Sequence, residues 1–160
     1  SDECGIVVVG AVTQGPPQDW RAYVLEDATM SAASPTKWAQ GAIDALERWE
    51  GDKIVAEVNQ GGDLVESVLR QLDPMVPYKS VRATRGKAAR AEPVAALYDQ
   101  GRVLHTRGLG DLEDQMTKMT AQGYKAPGSP DRLDALVWAV HDLMIAPAAG
   151  HKRPRIRTLG

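Results

Sequence analysis

The sequence predicts an α/β domain in which helices flank a mixed β-sheet. A run of β-branched residues between two glycines, Gly5–Gly10, is typical of a buried strand. Strand and helix patterns then alternate along the rest of the chain, as in a sheet that is covered by helices. With 160 residues, 43% of them hydrophobic, the chain is long enough for one domain with its own core.

The first half of the chain is expected to form a β-hairpin followed by a helix. Residues 5–9 and 21–25 carry strand patterns, and the Gly- and Pro-containing segment 13–19 between them indicates a turn. The dipeptide Ser34-Pro35 is a typical helix start, because Ser caps free backbone N–H groups and Pro fits the first turn. Apolar residues then recur at helical spacing as far as Gly51.

The second half is expected to alternate short strands with helices. Its strand patterns are short apolar segments, and its helix patterns repeat apolar residues at helical spacing. Predicted strands cover residues 54–58, 77–81 and 103–105, and predicted helices cover 63–72, 87–100, 109–121 and 130–145. We expect the domain to span residues 1–146, with a basic tail over 147–160.

The composition excludes several classes of protein. No apolar run approaches the roughly 18–20 residues that cross a membrane, so an integral membrane protein is not expected. Cys4 is the only cysteine, which excludes an internal disulfide and a multi-cysteine zinc or iron–sulfur site. The sequence has no phosphate-binding loop of the Walker A type, so an ATPase acting by itself is not expected.

Charge is unevenly distributed along the chain, although the net charge is only −2. Residues 151–160 carry four Lys or Arg and no acidic residue. A second basic stretch, residues 79–90, carries five Lys or Arg and no acidic residue. Local basic clusters on an acidic chain suit a polyanion such as nucleic acid, although a single cluster is more often solvated surface charge.

Three carboxylates have positions that suggest chemistry. Glu57 falls inside an apolar strand close to its end, where an ionised side chain needs an ion-pair partner, a metal or the sheet edge. Asp131 and Asp134 lie in the first turn of the last predicted helix and share one side of it. A salt bridge to Glu57 and the helix dipole at the two Asp residues would account for them without any function.

Taken together, the three carboxylates suit two-metal phosphoryl transfer. Hard divalent cations prefer oxygen ligands, and two of them about 3.5–4 Å apart can activate a water and stabilise the leaving oxygen of a phosphodiester. Without a cation, clustered carboxylates repel one another. We therefore expect Glu57, Asp131 and Asp134 to meet at one end of the sheet.

Five segments, in a fixed order along the chain, carry the pattern of one known family. They are DECGIVVVG (2–10), YVLEDAT (23–29), IVAEVNQGG (54–62), RGKAARAEPVAALY (85–98) and SPDRLDALVWA (129–139). In this order they resemble the C-terminal nuclease domain of tailed-phage large terminases and of related prophage or gene-transfer-agent proteins. That resemblance implies a ribonuclease H-like fold.

The resemblance also implies an activity and a set of site residues. The activity would be endonucleolytic cleavage of concatemeric double-stranded DNA during genome packaging. Glu57, Asp131 and Asp134 would be catalytic residues and ligands of two divalent metal ions, Mg²⁺ or Mn²⁺. Lys87 and Arg90 match basic positions near the nuclease groove of the family, and with Arg85 they are expected to contact DNA phosphates.

The same resemblance implies partners and a place of action. An ATPase motor would precede this domain in the parent protein, and the portal and the small terminase subunit would be its partners. We expect it to act in the cytoplasm of the bacterial host, away from any membrane.

One strand of the family is expected to be missing from these 160 residues. In the family, a first strand carries an Asp that bridges both metals, and this strand precedes the segment that corresponds to Gly5–Gly10. The chain by itself is therefore expected to cleave DNA slowly or not at all. A resolvase-like junction nuclease and a DNA-docking module without catalysis are alternative interpretations.

Overall fold

Strands and helices alternate along residues 3–58 and 63–151, which are the residues that the computed structural model of the chain describes. Most of the predicted basic tail, residues 152–160, lies outside the described residues, as do the last four residues of the IVAEVNQGG segment. No helix in the described part of the chain is both long enough and apolar enough to cross a membrane.

The bounds of the elements agree with most of the predicted ones. The strands are β1 (Glu3–Cys4), β2 (Val7–Val12), β3 (Arg21–Asp27), β4 (Met30–Ser31), β5 (Ile54–Glu57), β6 (Tyr78–Val81), β7 (Val103–His105), β8 (Met119–Thr120) and β9 (Gly123–Tyr124). The α-helices are α1 (Pro35–Arg48), α2 (Leu64–Leu72), α3 (Lys87–Asp99), α4 (Gly110–Thr117), α5 (Asp131–Val140) and α6 (Ala146–Ala149).

The described strands form two main sheets, which together contain parallel and antiparallel pairs. This arrangement, with its flanking helices, confirms the predicted α/β class. In the first sheet, of order β2-β3-β7, β2 runs antiparallel to β3 and β7 runs parallel to β3. In the second sheet, β5 and β6 are parallel, with Glu57 opposite Val81. Two short antiparallel pairs, β1-β4 and β8-β9, complete the described strands.

Each main sheet has its own hydrophobic core. The first core lies between the β2-β3-β7 sheet and helices α3, α4 and α5, and its fully buried members include Val24, Leu112 and Leu136. The second core lies between helices α1 and α2 and the β5-β6 sheet, around Ile43 and Leu69. Helix α5 contacts both β2 and β5, so it spans the two sheets.

Local signals explain where the helices begin. The Ser34 hydroxyl accepts a hydrogen bond from the backbone N–H of Lys37 at 3.4 Å, which confirms Ser34 as the cap of α1. Asp63 caps α2 in the same way, through the backbone N–H of Glu66 at 2.8 Å. Without such acceptors the first N–H groups of each helix would have no partner inside the helix.

The helix predicted over residues 109–121 is too long. Helix α4 ends at Thr117, and the chain then forms the small β8-β9 hairpin. Gly123 has φ 113°, a conformation that other residues rarely adopt, and the Thr120 hydroxyl donates to its carbonyl at 3.0 Å. The helical pattern of apolar residues extends beyond the helix because Met116 and Met119 both pack against the first core.

One acidic residue links helix α5 to the second sheet. After α5 the chain widens into a π-helical turn, His141–Ile145. The Asp142 side chain in this turn is 4% exposed, and its carboxylate pairs with Lys53 at 2.9 Å and with Lys79 at 2.5 Å. Burial alone would raise the pKa of the Asp142 carboxyl, but the hydrogen bonds and charges of the two lysines hold it below its usual range.

We predict that Asp142→Asn lowers the free energy of unfolding by about 1–2 kcal/mol at pH 7, because the lysines are partly exposed and their pairing is screened. Since the folded-state pKa of Asp142 is lowered, this contribution is complete above the unfolded pKa of about 4 and is lost as the pH falls through the folded value. Urea unfolding of wild type and variant at pH 7 and at pH 3 checks the prediction.

The exposed Asp99 offers a matched control. Asp99→Asn removes the same charge outside any ion pair that the structure describes, and it should change stability by less than about 0.5 kcal/mol. A stability loss for Asp142→Asn that is equally large at both pH values would contradict the ion-pair explanation.

Candidate metal centre

A cavity of about 780 Å³ separates the two main sheets. Strands β2 and β5 contribute its facing walls, and side chains of α1 and α5 line the rest. Consecutive residues of both strands line it, namely Val7–Val9 and Ile54–Glu57, so the cavity borders strand edges rather than a sheet face. No described strand pairs with β2 on the side away from β3, or with β5 on the side away from β6.

The three predicted carboxylates all line this cavity. Glu57 is the last residue of β5, while Asp131 and Asp134 lie in the first turn of α5. Their common cavity is consistent with the predicted convergence. Within residues 3–58 and 63–151, however, no three His, Cys, Asp or Glu residues are grouped closely enough to hold one metal ion.

Glu57 is positioned by an indole from α5. The Trp138 Nε1–H donates to Glu57 Oε2 at 3.0 Å. The guanidinium carbon of Arg90, on α3, lies 4.9 Å from the centre of the Trp138 ring. The indole of Trp138 therefore contacts both Glu57 and Arg90. The hydrogen bond from Trp138 fixes the position of one oxygen of the Glu57 carboxylate.

The Asp134 carboxyl is partly buried, and its pKa is shifted. Its side chain is 18% exposed, and the Lys87 ammonium lies 2.7 Å from Asp134 Oδ2. Burial raises the pKa of the Asp134 carboxyl, and the nearby charge of Glu57 raises it further, while the Lys87 hydrogen bond and charge offset only part of this. A bound cation would offset both effects that raise the pKa of Asp134.

The first turn of α5 is anchored by an arginine that the sequence analysis missed. Arg132 donates to Asp27 Oδ2 at 2.8 Å and to Glu3 Oε2 at 2.7 Å, and so joins α5 to the end of β3 and to β1. Asp131, next to it, lies close to Cys4: burial and the Asp131 charge both raise the pKa of that thiol. The alternation of acids and a base in PDRLD indicates an ion pair, but not its partners.

The basic residues predicted to contact DNA have different surroundings. Arg85 is exposed and Lys87 is 44% exposed at its side chain. Arg90 is only 7% exposed, donates to the Arg85 carbonyl and packs on Trp138. Because Arg90 is buried, a structural role is favoured for it. The phosphate contact that the sequence predicted for Arg90 stays a prediction.

The donor groups fit a hard divalent cation better than a soft one. Glu57, Asp131 and Asp134 offer carboxylate oxygens, whereas the nearby Cys4 thiol has a raised pKa and stays protonated at neutral pH. The ammonium of Lys87 already provides Asp134 with a positive neighbour. These oxygen donors would suit a hard divalent cation, but the described residues offer fewer ligands than a closed site would need.

Comparisons with known proteins identify the family and the fold. Residues 1–143 match the family described as "Terminase RNaseH-like domain". The fold is similar to the crystal structure of the large terminase nuclease from thermophilic phage G20c with bound cobalt, at 18% identity and a TM-score of 0.58, over 84% of this chain and 80% of that one. The magnesium-bound structure of the same nuclease gives 18% identity and a TM-score of 0.57, over the same shares.

At this identity the solved structures establish the fold alone. A search of curated proteins finds no match. The ribonuclease H-like class that the sequence predicted is confirmed by the family and by the fold.

We predict that Gly5→Ala displaces the first turn of α5. A Cβ at position 5 would lie 2.2 Å from the Asp131 carbonyl oxygen, a backbone atom that cannot rotate away. The chain must move, at a cost of about 1–3 kcal/mol in unfolding free energy. Chemical denaturation, with the amide NMR signals of Asp131 and Asp134 as a local readout, checks this.

Gly110→Ala is the matched control, because a Cβ there meets no atom within 4 Å. It lies in the first turn of α4 and should be neutral or slightly stabilising. Equal stability of the Gly5→Ala variant and wild type, with unshifted α5 signals, would show that the close approach is not required.

Proposed function

The chain belongs to the family of terminase ribonuclease H-like domains, and from this premise we propose that it is a metal-dependent endonuclease, the nuclease domain of a phage large terminase. The observation that carries the proposal is that Glu57 and Asp134, from a strand end and a helix start, line one cavity and interact electrostatically. The proposed substrate is double-stranded DNA, whose phosphodiester bonds are hydrolysed.

Glu57, Asp131 and Asp134 are the proposed ligands of two divalent metal ions, Mg²⁺ or Mn²⁺. When bound, such ions lower the pKa of a coordinated water and stabilise the charge on the leaving oxygen. Trp138 orients Glu57 through its N–H, and the buried Arg90 supports the indole from behind. Ligands held by such neighbours lose less freedom on binding than mobile side chains would.

We propose that an extended strand of the complete domain fills the space between β2 and β5. Two strand edges that border one cavity leave backbone N–H and C=O groups for an intervening strand to pair with. The cavity walls are largely apolar, with Val9, Val55 and Leu143 among them, as the neighbours of a central strand should be. A carboxylate on that strand would supply the further ligand that the described residues lack.

DNA would be held mainly through its phosphates. Arg82 and Arg85 are exposed on the loop before α3, and Lys87 begins that helix beside Asp134. Contacts to phosphate position the duplex without reading its sequence, as a nuclease that cuts many sequences requires. The substrate during packaging would be concatemeric DNA in the cytoplasm of the bacterial host.

The proposed setting includes further partners. An ATPase motor in the same parent protein would precede the nuclease domain and move the DNA. The portal and the small terminase subunit would be the other components of the packaging machine.

One observation favours a second candidate function, a DNA-docking module without catalysis. Among the described residues no group of three potential ligands surrounds one metal position. A docking module would bind DNA equally well in the presence of a chelator, whereas the nuclease would need its metal for cleavage.

We predict that the domain extended by the family's preceding strand nicks plasmid DNA in Mg²⁺ or Mn²⁺, and that the 160-residue chain does so slowly or not at all. Asp134→Asn and Glu57→Gln in the extended domain should each slow nicking by on the order of a hundredfold or more, since even supporting residues of metal ligands contribute 10- to 100-fold. Gel analysis of supercoiled plasmid gives the rates.

Asp99 is an exposed acidic residue on α3, and Asp99→Asn is the control. The extended domain with this substitution should nick plasmid DNA at the wild-type rate. Nicking by the extended domain that survives both substitutions would overturn the assignment of the site. A 160-residue chain as fast as the extended domain would show that the additional strand supplies no needed ligand.

We also predict different effects of the basic residues on DNA binding. Arg85→Ala and Lys87→Ala should each reduce the slope of log K against log salt by about one, evenly across DNA sequences. Arg90→Ala should leave the slope unchanged but lower the unfolding free energy by about 2–4 kcal/mol, because it removes a buried side chain and its contact with Trp138. Fluorescence anisotropy of a labelled duplex over a range of salt concentrations measures the slope. A lower slope for Arg90→Ala at unchanged stability would reverse this assignment.

A further inference from the structure

We propose that Lys87 is a built-in competitor for divalent metal: its ammonium group occupies Asp134, and the metal must displace it to bind. This inference rests on the proposed function, because it assigns a metal to the same carboxylate. It concerns a residue that sets metal affinity rather than one that supplies a ligand.

The Lys87 ammonium group lies where a metal bound to Asp134 would have to come close to it. Lys87 Nζ lies 2.7 Å from Asp134 Oδ2 and 3.4 Å from the Ser129 hydroxyl, which precedes α5. A divalent ion coordinated by Asp134 would lie about 2.0–2.6 Å from a carboxylate oxygen. Two cations at one carboxylate repel each other strongly in a partly buried site, so the ammonium and the metal cannot both keep their closest positions.

Lys87 is the first residue of helix α3. A positive side chain at the start of a helix is unfavourable because the helix dipole is positive there. The first turn of α3 contains no acidic residue, and its cap residue, Gly86, provides no side-chain hydrogen bond. The contact with Asp134 from α5 therefore supplies the favourable interaction that this position of Lys87 lacks within its own helix.

The Lys87 ammonium can move away from Asp134 more easily than the carboxylate can move. The Lys87 side chain is 44% exposed and flexible, whereas the Asp134 side chain is 18% exposed and fixed on α5. Arg132 and Gly5 hold the start of α5 in place, so the carboxylate remains when the ammonium moves away. The displaced ammonium stays at the mouth of the cavity, where the proposed phosphate contact needs a positive charge.

Titration with Mn²⁺, followed by the EPR signal of the free ion, tests the proposal on the 160-residue chain. Lys87→Met keeps the length and the apolar part of the side chain but removes the charge. The Lys87→Met variant should bind Mn²⁺ about three- to tenfold more tightly than wild type, because the partly exposed ion pair between Lys87 and Asp134 no longer has to be broken. Loss of a ligand or general damage to the fold would weaken binding instead.

Arg85→Met is the matched control, since it removes one positive charge two residues away that makes no described contact with Asp134. It should change the affinity by less than about twofold. Lys87→Gln serves as the second variant if Lys87→Met unfolds, as judged by circular dichroism, and should tighten binding in the same way. Asp134→Asn identifies the binding that depends on this site.

The outcomes separate the two proposals. Tighter binding by the Lys87 variants, which Arg85→Met does not share and Asp134→Asn abolishes, supports the competition. Binding that requires Asp134 but is equal in wild type and the Lys87 variants overturns the competition and leaves the proposed function standing. Equal tightening by Lys87→Met and Arg85→Met overturns it too, because general charge would then suffice. No Mn²⁺ binding that depends on Asp134 in any variant overturns the competition, and the proposed function is then decided by the nicking assay of the extended domain.

Discussion

Carboxylates from two different elements share one partly buried cavity, and the surrounding structure compensates their repulsion. Glu57 comes from the end of β5 and Asp134 from the start of α5. Three neighbours supply positive charge or a hydrogen-bond donor: the Trp138 N–H at Glu57, the Lys87 ammonium at Asp134, and the Arg90 guanidinium against the indole. Removing the charge of Glu57 would also change the pKa of Asp134, which that charge raises.

Helix α5 places this chemistry because it belongs to both halves of the fold. One side of the helix contributes Leu136 and Val140 to the first core, and the other carries Asp134 and Trp138 along the cavity. Its start is fixed by Arg132, and the turn that follows it is tied to β5 and β6 through Asp142. The helix is thus held at both ends by charged contacts, and its middle is held by apolar packing. Those contacts keep the cavity open between two sheets that no described strand joins.

The sequence was sufficient for the features that local rules determine. Periodicity located β5 and α5, and position within these elements predicted that Glu57, Asp131 and Asp134 would meet in one metal site at one end of the sheet. All three line one cavity, and their convergence on a metal stays a prediction. Long-range neighbours could not be predicted in this way. The burial of Arg90 depends on Trp138 from a distant helix, and the division of the strands into two sheets depends on pairing across the chain. Whether the carboxylates act as metal ligands stays a prediction, because ligand geometry is fixed by side chains together with the ion.

Crystals of the extended domain grown with Mn²⁺, with diffraction recorded at the manganese absorption edge, test the central claim most directly. The account predicts an anomalous peak within coordination distance of both Glu57 and Asp134, with the Lys87 ammonium moved away from Asp134 Oδ2. A map in which ordered manganese binds elsewhere, while Lys87 still pairs with Asp134, would contradict it.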